Sequence, residues 1–390
     1  MSAHSAATFI QGEKLSVDVA AIEKELTLLW QEVAVEQEAA GAATAAAAGR
    51  PVMRACTLNV MAIAPDDKTA DQAAAAIAEF TSRHPCRALV VVADAESETE
   101  ALSAYVSAHC HLPVPDAPQV CCEQITVIAR GAAVAQVPGT VLPLLIGDLR
   151  VVLWWLSGLP RESALFEQLL GASDCLIFDS AVALDLSLTF AAANSLNANW
   201  RDGFLIDLNW LRLTQWRDLL ARLFELAGVA DCLQSIEKVT VQMSGGMTEL
   251  EMSQPALLLG WLAAQLQWRL TEPFTATENG WRALWESAGR EIRTEIVRVD
   301  NGKQAELTGL HLDLNHEGRP GALSITRRLS ETTLTLQAKV SGFAERPEET
   351  PPGLLRLEEA SLAALMARAL DRHQREEVYE KALRKATQLL

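Results

Sequence analysis

The histidine and cysteine residues that could bind a metal ion are concentrated in one part of the sequence. His109-Cys110-His111 is followed after a short gap by Cys121-Cys122. Thiolate and imidazole are ligands that zinc prefers, but adjacent cysteines do not easily reach one tetrahedral ion. The spacings C-x-x-C and H-x-x-x-H are absent from the chain. The pattern is more typical of ordinary buried or surface thiols, so the sequence predicts no metal site.

Motifs of nucleophilic catalysis and of phosphate binding are also absent from the sequence. It contains no G-x-S-x-G, no H-E-x-x-H, no G-x-G-x-x-G and no G-x-x-x-x-G-K-[ST]. Ser244-Gly245-Gly246 follows a predicted strand, but this triplet is more typical of a plain turn than of a phosphate cradle. The sequence therefore predicts no catalytic residue and no cofactor, and it indicates a protein that is not an enzyme.

Two polar segments combine residue types that recognise other molecules. In His84-Pro85-Cys86-Arg87, Pro85 restricts His84 to an extended backbone at the start of a predicted buried strand. The segment from Asp207 to Arg217 holds two indoles, two guanidiniums, two amides and a carboxylate, and Trp and Arg are enriched in binding hot spots. The candidate partner-binding residues are Trp210, Arg212, Trp216, Arg217, His84 and Arg87.

These segments have two other interpretations. In the first, Asp207, Asn209 and Thr214 form a structural corner between two domains, with Thr214 as the N-cap of the following helix. In the second, His84, Arg87 and the two later arginines form an anion pocket for a sugar phosphate or nucleotide, because guanidinium forks match phosphate oxygens. The residues alone leave the three interpretations open.

Composition restricts the partners. The chain has 390 residues and a formal net charge of −17, and such an acidic surface repels phosphate backbones and anionic lipid heads. We therefore expect neither nucleic-acid nor membrane binding. Seven cysteines without regular spacing do not form a secreted disulfide framework, and the first residues have no basic segment followed by an apolar run. The predicted location is cytoplasmic.

The first half of the chain alternates between predicted helices and short apolar strands. An amphipathic helix is predicted for Ser16 to Val35, with Ser16 as its N-cap, and the Ala-rich stretch Ala39 to Gly49 is typical of a frayed helix end or a linker. Strands are then predicted for Ala55–Ile63, Arg87–Ala93, Ile125–Arg130, Val151–Leu156 and Cys175–Phe178, with helices between them. This alternation predicts an α/β domain with a mostly parallel sheet.

The second half has a different pattern. Helices are predicted for Leu186 to Asn194, Thr214 to Ala227 and Pro255 to Leu270, and four successive strands between Glu291 and Val340 form a predicted antiparallel meander. One final helix is predicted from Leu357 to Leu390. The fold class is therefore α/β, with residues 1–50 as an N-terminal helix and linker, 51–185 as the α/β domain and 186–390 as an α+β domain.

One string in the second polar segment resembles a known family. The string D-x-N-W-x-R-L-T-x-W-R from Asp207 to Arg217, together with His84-Pro85-x-Arg87 and Leu153-Trp154-Trp155, resembles the glucose-6-phosphate dehydrogenase assembly protein family, OpcA. The resemblance extends from about Ala55 to Leu383. It implies a protein that assists or allosterically activates the dehydrogenase of the oxidative pentose phosphate pathway.

The resemblance also implies one difference from some relatives. Cyanobacterial members connect their effect to thioredoxin through cysteines near the C-terminus, whereas the last cysteine here is Cys232. The expected function is a non-catalytic activator whose partner is glucose-6-phosphate dehydrogenase. The alternative, from a different class, is an enzyme or sensor that binds sugar phosphates or nucleotides through the Arg/His anion pocket.

Overall fold

The computed structural model describes residues 8–11, 15–16, 19–43, 52–111, 119–226, 229–245, 249–300, 305–330, 333–342, 354–356 and 360–390. The chain divides into two compact units. Unit 1 consists of Met1–Asp179, Trp200–Ile206 and Ser361–Gln374, and unit 2 consists of Ser180–Asn199, Asp207–Ala360 and Arg375–Leu390. Within the described residues, no helix is long and apolar enough to cross a membrane.

Sheet A is the ten-stranded sheet that begins the chain. Its strands are β1 (Thr8–Gln11), β2 (Leu15–Ser16), β3 (Val52–Arg54), β4 (Leu58–Ala64), β5 (Cys86–Asp94), β6 (Ala101–His111), β7 (Gln119–Arg130), β8 (Arg150–Trp155), β9 (Cys175–Phe178) and β10 (Phe204–Asp207). The helices of unit 1 are α1 (Val19–Ala43), α2 (Asp67–Phe80), α3 (Val137–Val141), α4 (Ala164–Gly171) and, late in the chain, α9 (Leu362–Leu370).

The order of the strands in sheet A is β1-β6-β7-β5-β4-β8-β9-β10. The pairs β7–β5, β5–β4, β4–β8 and β8–β9 are parallel. If the six strands from β4 to β10 without β6 are numbered along the chain, their order is 3-2-1-4-5-6, as in dinucleotide-binding folds. Every residue of β4 is buried, as expected for a parallel strand covered on both faces.

Two helices of unit 1 illustrate how the sequence determines the local structure. The Asp66 carboxylate accepts a hydrogen bond from the Thr69 backbone N–H and caps α2, which satisfies one of the helix's unpaired donors. In α1, the apolar stripe containing Ile22, Leu26 and Leu29 is buried, and α1 contacts β6. The amphipathic pattern therefore predicted the buried face of α1.

Unit 2 contains an eight-stranded sheet, sheet B, in the order β12-β13-β14-β11-β15-β16-β17-β18. Its strands are β11 (Ile236–Ser244), β12 (Arg269–Thr277), β13 (Gly280–Ser287), β14 (Arg290–Asp300), β15 (Glu306–His316), β16 (Arg319–Ser330), β17 (Thr333–Ser341) and β18 (Leu354–Arg356). The helices of unit 2 are α5 (Leu186–Asn199), α6 (Leu208–Arg212), α7 (Thr214–Phe224), α8 (Ser253–Gln265) and α10 (Glu377–Leu389).

The predicted fold class, an α/β chain with a mostly parallel first sheet and an antiparallel-rich second sheet, is confirmed. Three local predictions were wrong. Ser16 ends strand β2 and is not a helix cap, the final helix is divided into α9 and α10, and β14 and β15 are separated by β11, which pairs parallel to β14. The stretch 39–49, predicted as a frayed helix end or a linker, contains the end of α1 at Ala43, and residues 44–49 lie outside the described residues.

Candidate functional site

The corner in unit 2 begins with the carboxylate of Asp207, which is 1% exposed. Its Oδ1 accepts hydrogen bonds from the backbone N–H groups of Asn209 (2.9 Å) and Ser180 (3.0 Å). The first of these caps α6. The Tyr379 hydroxyl donates to Oδ2 at 3.4 Å, and burial together with the Asp207 charge raises the tyrosine pKa well above 10. These three hydrogen bonds stabilise the buried carboxylate of Asp207.

The N-cap predicted at Thr214 was wrong. Leu213 precedes α7 without a side-chain cap, and the Thr214 hydroxyl donates instead to the Leu211 carbonyl at 2.8 Å. The reason is that α6 and α7 follow one another almost without interruption, so the extended cap conformation occurs earlier, at Asp207.

Asn209 is fully buried beside Asp207. Its side-chain amide donates to the hydroxyls of Ser180 (3.0 Å) and Ser253 (2.9 Å). These bonds connect the start of α6 to the segment before α5 and to the start of α8. The amide of Asn209 provides the two N–H donors that this position needs. An aspartate here could only accept hydrogen bonds from the two hydroxyls, and it would add a second buried charge beside Asp207.

Trp210, Arg217 and Glu376 form the second part of the corner. The Arg217 guanidinium carbon lies 3.4 Å from the Trp210 ring centroid, a cation–π geometry. The indole Nε1 donates to Glu376 Oε1 at 2.8 Å, and Arg217 Nη1 lies 3.8 Å from the same oxygen. Glu376 was missed by the sequence analysis because it lies far along the chain. The signal that could have indicated such a residue is that a buried arginine, here Arg217, requires a carboxylate as its partner.

The candidate partner-binding residues of unit 2 differ in their solvent exposure. Trp210 is 1%, Trp216 4% and Arg217 9% exposed, whereas Arg212 is half-buried. In the folded unit the first three contribute packing and internal pairing. Contact with another protein through this segment remains a prediction, and it is expected at Arg212.

His84 and Arg87 lie in unit 1 and have different partners. Arg87 is buried, and it donates through Nε to Glu123 Oε1 (2.5 Å) and through Nη1 to Glu23 Oε1 (3.1 Å) and the Leu144 carbonyl (2.6 Å). Trp30 Nε1 donates to the other oxygen of Glu123 at 3.1 Å. These contacts attach α1 to the sheet, and the two carboxylates neutralise the guanidinium.

The imidazole of His84 faces an acidic residue near the end of α9. Its Nε2 lies 3.4 Å from Asp371 Oδ1, while Arg83 binds Asp371 Oδ2 at 2.6 Å. Burial lowers the pKa of His84 from 6.5, despite the opposing effect of Asp371. His84 is thus mainly neutral at pH 7.

The carboxyl-terminal edge of sheet A is where folds with this strand order bind ligands. Here the turn after β4 is Ala64-Pro65-Asp66-Asp67 and has no glycine pattern. Asp66 occupies the N-terminus of α2, and Arg130 bridges Asp67 at 2.6 Å and Asp94 at 3.1 Å. Arg130, Asp67 and Asp94 are therefore paired with one another, and two carboxylates, Asp66 and Asp67, lie where a pyrophosphate would require donors.

One cysteine differs from the ordinary buried or surface thiols that the sequence predicts. Cys121, which lies opposite Cys110 in the β6–β7 register, is disulfide-bonded. Five of the described cysteines form no disulfide, namely Cys56, Cys86, Cys122, Cys175 and Cys232. Burial raises the pKa of Cys122 to about 11 and that of Cys175 to about 12, so neither is a reactive thiolate. No group of three or more His, Cys, Asp or Glu among the described residues could hold a metal ion.

Comparison with solved structures gives distant similarities. The 3-ketoreductase KijD10 from Actinomadura kijaniata has a TM-score of 0.47 and 12% identity, with 85% of this chain and 95% of that chain covered. The WlbA dehydrogenase from Thermus thermophilus has a TM-score of 0.42 and 12% identity over 85% and 94% of the two chains.

Comparison of sequences gives a more specific result. A protein named "Putative OxPP cycle protein OpcA" from Synechococcus elongatus is 28% identical over 317 residues, which are 78% of this chain and 67% of that protein. A protein of the same name from Nostoc punctiforme is also 28% identical, over 78% and 65% of the two chains. This chain thus spans about two thirds of the length of these relatives.

Two family models cover most of the chain. The model described as the glucose-6-phosphate dehydrogenase subunit N-terminal domain matches residues 77–194, and the model of the C-terminal domain of the same subunit matches residues 204–383. The second match contains the whole corner from Asp207 to Glu376, and the first contains His84 and Arg87. The chain belongs to the OpcA family of glucose-6-phosphate dehydrogenase assembly proteins.

Proposed function

We propose that this protein is a non-catalytic assembly factor and allosteric activator that binds glucose-6-phosphate dehydrogenase in the cytoplasm and promotes its active state in the oxidative pentose phosphate pathway. The observation that carries the proposal is the match of both family models, which are named for this dehydrogenase, to residues 77–194 and 204–383.

The ligand edge of sheet A supports a non-catalytic role. Pyrophosphate binding at such an edge depends on close backbone approach and on free N–H groups at a helix N-terminus. Asp66 accepts the Thr69 N–H at 2.7 Å, and the neighbouring Asp67 carries a second negative charge. Both features oppose an anionic cofactor at this position.

Two of the three arginines of the alternative anion pocket lie beside carboxylates of the fold. Arg87 lies between Glu123 and Glu23, and Arg217 lies against Trp210 and near Glu376. At Arg87 a phosphate would have to displace the buried Glu123 carboxylate, and breaking a buried ion pair costs about 3–5 kcal/mol. We therefore favour the activator over the sugar-phosphate or nucleotide sensor.

An activator must bind the active conformation of its partner more tightly than the inactive one. A tenfold change in the apparent substrate affinity of the dehydrogenase corresponds to about 1.4 kcal/mol of coupling. One well-placed interfacial side chain supplies this amount, and the half-buried Arg212 is the candidate within the family string.

The test is to mix the purified protein with the dehydrogenase of the same host and measure rate against glucose 6-phosphate concentration. We expect a lower KM or a higher kcat, and a change in the oligomeric state of the dehydrogenase. Arg212→Ala should weaken activation while its melting temperature stays close to that of the native protein. Arg222→Ala, at an exposed position in the last turn of α7, is the matched control. A dehydrogenase whose kcat, KM and oligomeric state are all unchanged would rule out the proposal.

A further inference from the structure

Two exposed hydrophobic side chains lie close together at the start of unit 2. Val182 is 54% and Leu184 86% exposed, and no other large hydrophobic residue in the described part of the chain is as exposed as Leu184. Both belong to residues 180–184, between β9 and α5, which begin with a single 3₁₀ turn at Ser180–Val182. We call residues 180–184 the apolar turn.

The buried corner holds the apolar turn in place. The Ser180 backbone N–H donates to Asp207 Oδ1 at 3.0 Å, and the Ser180 hydroxyl accepts from the Asn209 amide, also at 3.0 Å. Ala183, between the two exposed side chains, is 3% exposed. The backbone of the turn is therefore fixed on its inner side. A segment that is already fixed loses little conformational freedom when it binds a partner.

Local packing does not account for Leu184. The Asp185 carboxylate accepts the Leu188 backbone N–H at 2.7 Å, which is the bond of an N-cap before α5. A hydrophobic residue that precedes the N-cap often packs against the fourth residue of the helix, here Thr189, as a hydrophobic staple. Thr189 is buried, whereas Leu184 is almost fully exposed, so Leu184 does not form such a staple.

The surroundings of the apolar turn are acidic. The elements that contact the 3₁₀ turn are α5, α6, α8 and the short segment Glu249–Met252. α5 and α8 contain no charged residue, and the only charged residue of α6 is Arg212. In addition to the buried Asp207, the acidic residues of these elements and of the flanking chain are Asp179, Asp185, Glu249 and Glu251.

We propose that the apolar turn is a docking surface for glucose-6-phosphate dehydrogenase, and that Val182 and Leu184 enter an apolar pocket of that enzyme. This inference rests on the proposed function and assigns a contact surface to it. Exposed apolar side chains that lie together among polar residues are typical of protein interaction sites.

Two observations favour the dehydrogenase as the occupant. Asp207 and Asn209, which hold the apolar turn, are the first two specified residues of the string D-x-N-W-x-R-L-T-x-W-R, by which the chain resembles its family. In addition, α6 contacts the 3₁₀ turn and ends at Arg212, the contact residue proposed above. The family string therefore connects both proposed contacts within unit 2.

The charge of the chain opposes two other occupants. A second copy would bring the acidic surroundings of one turn against those of the other, and like charges that face each other across an interface weaken it. The net charge of −17 adds to this repulsion. An anionic membrane surface would be repelled for the same reason.

The test is the affinity of the purified chain for immobilised dehydrogenase of the same host, measured by surface plasmon resonance. Leu184→Asp and Val182→Asp should each raise Kd by about tenfold or more, because each would place an unpaired charge in an apolar pocket. Leu184→Met keeps the volume and the apolar character of the side chain, and its Kd should stay within about twofold of the native value.

Leu329→Asp is the matched control. Leu329, near the end of β16, is 76% exposed, so the same substitution is made at a similarly exposed leucine of unit 2, and Kd should remain within about twofold of the native value. Both Leu→Asp variants should melt within about 1 °C of the native protein, since neither side chain is buried. Leu184→Ser replaces Leu184→Asp if the latter melts at a lower temperature.

The outcomes distinguish this inference from the proposed function. If Leu184→Asp and Val182→Asp bind as tightly as the native chain, the docking surface is wrong and the proposed function stands. A native chain that binds without changing kcat or KM contradicts activation, while the Kd values of the variants still decide the docking surface. A native chain that does not bind contradicts both. A dimer of the chain alone that Leu184→Asp dissociates, seen by analytical ultracentrifugation, would assign the apolar turn to a second copy and overturn the inference.

Discussion

Replacing Trp210 by phenylalanine tests whether the corner is a scaffold or a contact surface. The substitution removes the indole N–H that donates to Glu376 at 2.8 Å. It also reduces the area of the aromatic ring that Arg217 contacts. Loss of a hydrogen bond to a charged group costs about 1.5–3 kcal/mol, the weaker cation–π contact about 0.5–1 kcal/mol, and the smaller core volume about 1–2 kcal/mol.

Together these effects lower the free energy of unfolding by about 3–6 kcal/mol. In a unit of 150–250 residues, about 2–4 °C of melting temperature corresponds to 1 kcal/mol, so Trp210→Phe should melt at least about 6 °C below the native protein. The assay is calorimetry or circular dichroism on both variants. Trp281→Phe, at a half-exposed position on β13, is the control, and its loss should stay below about 1.5 kcal/mol.

The same samples are then assayed for dehydrogenase activation well below their melting temperatures. If Trp210 is a scaffold residue, folded Trp210→Phe activates the dehydrogenase as the native protein does. If the variant melts within about 1 °C of the native protein and activation is lost, Trp210 contacts the partner, and our assignment of the corner to internal packing is refuted.

Three further predictions concern stability and reactivity. Burial lowers the pKa of His109 below 6.5 in the folded protein. As the pH decreases from 7 to 5.5, the unfolded chain is therefore protonated at His109 before the folded protein is, and the free energy of unfolding should fall. A His109→Gln variant should have a flatter plot of melting temperature against pH. With a thiol pKa of about 11, native Cys122 should be alkylated at pH 8 at least 100-fold more slowly than in urea. A Cβ on Gly260 would lie 2.5 Å from the Ala382 carbonyl oxygen, so Gly260→Ala should lower the melting temperature by several degrees, whereas Gly171→Ala, with nothing within 4 Å, should not.

The parallel sheet was predictable because its central strands are continuous apolar runs. β5 and β9 contain only apolar residues near their centres, and a helix follows β4 with an Asp cap. β6 was not predicted because its buried residues are mainly alanine and serine, as at Ala104, Ser107 and Ala108. Such residues have little strand propensity of their own, and β6 forms because β7 pairs with it along its whole length.

Long-range pairing explains the errors in the second half of the chain. β14 and β15 follow one another in sequence, but β11 lies between them, parallel to one and antiparallel to the other. Hydrophobic alternation identifies a strand and its buried face, but it does not indicate which other strand of the sheet the strand pairs with. Similarly, an uninterrupted helical pattern at the C-terminus did not reveal the break at residues 371–376, where Arg83 binds Asp371.

The candidate site was predictable in its residue types and not in its pairings. The clustering of Trp and Arg between Asp207 and Arg217 correctly marked an unusual segment, since Asp207, Asn209 and Trp210 are all buried in one polar network. The acidic partners come from distant positions, with Glu376 beside Arg217 and Glu123 beside Arg87. A sequence search for arginine partners is ambiguous in a chain with 50 acidic residues.

These pairings limit where function can reside. An enzyme keeps some polar groups of its ligand edge available for a substrate or cofactor. At this edge Arg130 is paired with Asp67 and Asp94, and Asp66 accepts the Thr69 N–H. The arrangement supports the proposed non-catalytic role, in which the dehydrogenase is recognised through the half-buried Arg212 of unit 2.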